Sequence, residues 1–159
     1  MSAHVPRFSM NGDGKHRPTD QNDRKRQVIE DLTGRFKELN SLWLDAEAGL
    51  KKFPLPVDAI FKYSTQYSYP AEAAGDESRS YLGFVKWGSG WRICHGTDWD
   101  QEPEVGVDWK PITECSLDLR LQMIRHIADL RGEVLRAAEA CVPKLDQAIS
   151  GFRDALSGW

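Results

Sequence analysis

No stretch of this chain approaches the roughly 18 consecutive apolar residues that a membrane-spanning helix needs, so no membrane is expected among its partners. Cysteine is scarce. Cys94, Cys115 and Cys141 are odd in number, widely spaced and without a CxxC pair, which argues against a disulfide framework and a thiolate zinc site. Residues 1–18 lack an apolar run between a basic start and a cleavage site, so no secretory leader is expected and the reducing cytoplasm is the expected compartment. A phosphate-cradling glycine motif, a nucleophile elbow and an HExxH pair are all missing. Gly12-Asp13-Gly14-Lys15 has neither the strand nor the spacing of a P-loop. Nor is there an excess of positive charge, since a net charge of -3 gives no general pull toward nucleic acid.

What is present is an ordinary globular mixture, with 40% hydrophobic, 28% charged and 10% aromatic residues in 159. That length suits one domain with a core of its own. Residues 1–18, rich in Gly, Pro, Asn, His and Ser and without periodicity, read as a flexible arm; residues 19–159 read as a single α+β domain. Charge is unevenly placed. Arg24, Lys25 and Arg26 make the early chain basic, whereas Asp98, Asp100, Glu102, Glu104 and Asp108 make residues 96–110 acidic.

Two long helices are expected. Thr19 and Asp20 are good caps, and Leu32, Phe36, Leu39, Trp43, Ala46 and Leu50 step by four and three, the repeat of a helix packed lengthwise on another. Pro54 and Pro56 stop this first helix near residue 51. Ser116 caps the last one, whose seam runs through Leu117, Leu121, Ile124, Ala128, Arg131, Leu135, Ala138, Val142, Leu145, Ile149, Phe152 and Leu156. An unbroken helix over residues 116–157 would be about 63 Å long, against a radius of gyration of about 15 Å for a chain of this size. Either it bends or breaks at Pro143, or its far end is covered by another chain. The first helix, running antiparallel, and a two-fold copy of the chain are the two candidate covers.

Between the helices lies an antiparallel hairpin or meander of two to four strands. Ala59, Phe61, Tyr63, Thr65, Tyr67 and Tyr69 alternate with polar residues, and YLGFVKW and WRICH flank Gly88-Ser89-Gly90. A three-residue loop would oppose Trp87 with Trp91 and Lys86 with Arg92, an unfavourable meeting of like charges. Residues 105–109 add a short edge strand before Pro111.

No catalytic set emerges, and no metal or cofactor is expected. Cys94 and His95 are neighbours on a strand and point to opposite faces; His126 is the one distant partner. The run from Asp98 to Glu104 starts like a calcium loop but carries Pro103 where glycine is required. Trp99 and Trp109 stand in acidic surroundings where an indole needs a cover, and with Leu145, Ile149, Phe152 and Leu156 they form the candidate surface for a protein partner, self or other. The leading expectation is a non-enzymatic interaction or regulatory protein, a homodimer or an accessory subunit. A second reading sets Lys86, Arg92 and His95 around an anionic ligand on the sheet. A third lets Arg24, Lys25 and Arg26 touch nucleic acid.

Overall fold

The computed structural model describes residues 18–67, 77–100 and 103–158. The expected arm, apart from Pro18, lies outside them, as do Tyr69 and Glu102. Helix α1 spans Pro18–Leu50 and is followed by strands β1 (Ala59–Tyr67), β2 (Glu77–Trp87), β3 (Gly90–Trp99) and β4 (Asp108–Pro111), then helices α2 (Leu117–Met123) and α3 (Ile127–Ser157). The α+β arrangement of a long helix, a four-stranded antiparallel sheet and a second long helical segment, in that chain order, is therefore the one the periodicities imply.

The chain falls into two units, residues 1–39 and residues 40–159. In the first, every residue of α1 from Asp20 to Glu38 is exposed, Val28, Ile29, Leu32 and Phe36 among them.

The second unit is built on the sheet, a meander in the order β1-β2-β3-β4. Its β2–β3 register corrects the expected one. The turn holds two residues, Gly88 and Ser89, with Trp87 opposite Gly90, Lys86 opposite Trp91 and Val85 opposite Arg92. Gly88 has φ 57°, and a positive φ at the first central position is what a type II′ turn reserves for glycine. A one-residue slip exchanges the faces of a strand, so Lys86 and Arg92 end on opposite sides and their repulsion never arises. Strand β1 carries a second correction. A bulge between Lys62 and Ser64 inserts Tyr63, and beyond it Thr65 pairs with Arg79, on the other face from Phe61, which pairs with Leu82.

One face of the sheet gathers Ala59, Leu82, Phe84 and Ile93, all buried. The helical layer covers it, with His126 stacked on Tyr63 and Leu130 and Val134 of α3 fully buried. On the other face the indole of Trp109 lies across Gly83 and Gly96, where a Cβ would stand 2.7 Å and 2.5 Å from its ring atoms. Both glycines are therefore places left vacant for a ring.

The last helical segment breaks, but not at Pro143. Ser116 caps α2 as its sequence implies, its side chain accepting from the Leu119 N–H. A 3₁₀ turn at Ile124–His126 then separates α2 from α3, and α3 runs unbroken through Pro143. In the 4-3 frame of its seam, Pro143 follows Val142 onto the outward side of the helix, so its ring is away from the apolar stripe.

The end of α1 closes the edge of β3. Strand β4 ends at Pro111 opposite Cys94, so residues 90–93 of β3 have no strand beside them there. The buried Glu47 fills the gap: its carboxylate accepts from the Ile93 N–H at 3.1 Å, from Arg92 Nε at 2.9 Å and from Lys51 Nζ at 2.8 Å. Burial alone would raise its pKa, but those hydrogen bonds outweigh it and hold the carboxyl below its usual value.

Candidate interaction surface

The stripe that the 4-3 repeat marks on α3 is open along its far half. Every described residue from Val142 to Gly158 is exposed, and the stripe within it, Val142, Leu145, Ile149, Phe152 and Leu156, is 57%, 55%, 48%, 67% and 57% exposed. The face of α3 that packs inward ends at Cys141, the last buried residue of the helix. Beyond it, about four turns of helix are left exposed by the described residues. A single isolated helix of that length is marginal in water, because nucleation is unfavourable and its gain comes mainly from packing. Five large apolar side chains on one stripe also exceed the scattered exposure that any surface shows.

Trp99 belongs to the same class. At 49% exposed it ends β3 and walls a hollow of about 320 Å³ with Thr97, Val105 and Asp108. The neighbouring acidic groups are partly neutralised: Asp98 accepts from Arg79 Nε at 2.9 Å and from the Tyr81 hydroxyl at 3.0 Å, and Asp100 also pairs with Arg79. The ring of Trp109 packs against the sheet beside Tyr81, over the two glycines.

Lys86, Arg92 and His95 do not converge. Lys86 is exposed, with its backbone N–H on Asp58; Arg92 is engaged by Glu47 and Thr113; and His95 is bound to Tyr63. Arg24, Lys25 and Arg26 are exposed on α1, but three consecutive helical residues step by about 100° each and so surround the helix rather than line a face.

One cluster escaped the sequence reading. Tyr63 Oη lies 2.7 Å from His95 Nε2, and its ring stacks on His126 with centroids 5.0 Å apart. Phe61 closes the group at 5.6 Å from His126, whose Nδ1 lies 3.4 Å from Asp129. The period-two pattern of β1 places Phe61 and Tyr63 on one face; nothing in it reveals that His95 and His126 meet them there. Burial lowers the pKa of His95 and raises that of the Tyr63 hydroxyl. The neutral imidazole and the phenol share one hydrogen bond between Nε2 and Oη, and the tautomer of the ring sets which of them donates. The group is a packed, hydrogen-bonded cluster of half-buried side chains. Cys94 points away from it on the opposite face, fully buried, with burial pushing its thiol up to about 12, so it supplies no thiolate at neutral pH. Among the described residues, no group of three or more His, Cys, Asp or Glu side chains is placed to hold a metal ion.

Stability should respond to this burial in two pH windows. His95 has a folded pKa below its ordinary value near 6.5, so on acidification the unfolded chain takes the proton first. Its contribution is whole above pH 6.5 and drains away as pH falls below it. Glu47, also depressed, adds a second loss that begins below its ordinary value of 4.5. Thermal melts from pH 7.5 to 3.5 should show both slopes, with His95→Gln flattening the upper one and Glu47→Gln the lower. An unchanged upper slope in the His95 variant contradicts the assignment.

No helix among the described residues is long and apolar enough to cross a membrane. Comparison with family models, with curated proteins and with solved structures finds no match to this chain.

Proposed function

We propose that this is a non-enzymatic interaction or regulatory protein that works through its helical seam, as a homodimer or as an accessory subunit of a larger assembly. The observation that carries the reading is the stripe from Val142 to Leu156, exposed on a helix whose last buried residue among the described ones is Cys141. Covering each such side chain is worth roughly 1.5–3 kcal/mol, so an occupant of the stripe has a sizeable driving force. Trp99 and its hollow offer a second, smaller contact of the kind that anchors interfaces. The absence of a catalytic arrangement in the sequence supports the non-enzymatic part, and the reducing cytoplasm is the compartment it suits.

Hydrogen exchange with light scattering tests it. Amides 142–157 are expected to be protected well beyond an isolated helix, in a species larger than one chain. A strict monomer, unchanged at high concentration and exchanging freely over those residues, removes the support for the reading.

A further inference from the structure

Resting on that reading, we infer that the occupant of the α3 seam is the same seam of a second copy, packed antiparallel about a two-fold axis near Gln147. In the 4-3 frame, antiparallel pairing alternates the two kinds of seam position across the interface. With the axis there, the largest side chain, Phe152, lies opposite Val142 of the second copy. Leu156 lies opposite Ala138, the smallest seam residue of this stretch, and Ile149 lies opposite Leu145. Large meets small at both ends, which is the complementarity a close-packed interface needs.

The flanks agree with the same register. On one side Ala148 meets its own copy at the axis and Ala155 lies near Cys141, so small residues let the helices approach closely. On the other side Glu139 faces Arg153 of the second copy, and symmetry makes the pair twice. Neither residue forms an ion pair within its own chain among the described residues, although Arg136 and Glu133 nearby do pair. One like-charge contact opposes the arrangement: Asp146 meets Asp146 near the axis. Pro143 lies on the outward side and does not enter the interface. The N-terminal stripe of α1 offers a rival surface through Phe36, which is also exposed.

The experiment uses the full chain. Ala148→Cys, treated with a short bis-maleimide, is expected to give a covalent dimer, whereas Gln147→Cys, one position outward, is not; Cys94, Cys115 and Cys141 are buried and stay unreactive. Light scattering then follows the dissociation constant. E139R and R153E should each weaken the dimer roughly tenfold, the double variant should restore it, and Asp146→Asn should tighten it. Circular dichroism shows that each variant keeps its helices. Equal cross-linking of the two cysteine variants, or charge reversals that add instead of cancelling, overturns the pairing. A dimer lost in F36D but kept in F152D also overturns it while leaving the interaction reading in place. A strict monomer with unprotected amides at 142–157 overturns both.

Discussion

Glu47→Ala is expected to lower the unfolding free energy by about 3 kcal/mol and the melting temperature by on the order of 10 °C. The carboxylate is 5% exposed and serves three donors at once. Removing it leaves the Ile93 N–H without a partner at the point where β4 has ended, and leaves the Arg92 guanidinium with Thr113 Oγ1 as its remaining partner among the described residues. Arg92 is 28% exposed, so water recovers part of the loss and the cost stays below that of a wholly buried charge. Glu47→Gln should cost less, because an amide oxygen still accepts from Ile93 while the attraction to Arg92 is gone. In a double-mutant cycle with Arg92→Ala, the two losses should fall short of adding by about 1 kcal/mol. Denaturant unfolding measures all four species. A Glu47→Ala variant within about 0.5 kcal/mol of the parent would show that the edge of β3 needs no cap.

The second large effect is expected at Gly96. Alanine there places its Cβ 2.5 Å from Trp109 Cε3 and 2.6 Å from Val107 Cγ1, distances no packed pair of atoms tolerates. The obstacle is a flat ring across the sheet and a β-branched side chain, neither of which has a flexible end to swing aside. An overpacking cost of about 2 kcal/mol follows. Trp109→Ala alone should cost about 2 kcal/mol through lost ring contact. Combined, the two changes should cost clearly less than their sum, since the small side chain then occupies space the ring has left. Full additivity would mean that the indole does not lie where the glycines leave room for it. The same pair bears on function: if Trp109 is bound within the sheet, its loss should be felt in unfolding and not in the mass of the assembled species.

The helices and the sheet could be read from the chain because their signals are local. The 4-3 steps of Leu32 to Leu50 and of Leu135 to Leu156, the Ser116 cap and the alternation around Gly88 each depend on neighbours within a turn or two. The register could not be read, because Gly88-Ser89-Gly90 allows a loop of two residues or three and only the backbone angle at Gly88 decides between them. The bulge at Tyr63 is invisible for a similar reason: an inserted residue leaves the composition of β1 unchanged while turning Thr65 to the other face. The break at Ile124–His126 depends on tertiary contact, with His126 drawn onto Phe61 and Tyr63, and it outranks the proline that the sequence makes conspicuous. Of the candidate surface residues, the α3 stripe and Trp99 stand exposed, while Trp109 and Arg92 found partners whose distance along the chain, 13 residues or more, hides them from any periodicity.

A meander in which each strand pairs with the next has no crossover to thread, and its first loop to close is the two-residue turn at Gly88. Refolding of the sheet should therefore be quick and indifferent to dilution. The far half of α3 is exposed among the described residues, so on the proposed pairing its ordering should follow encounter between molecules and slow as the solution is diluted. Two clocks would then run in one polypeptide, the first unimolecular and the second bimolecular.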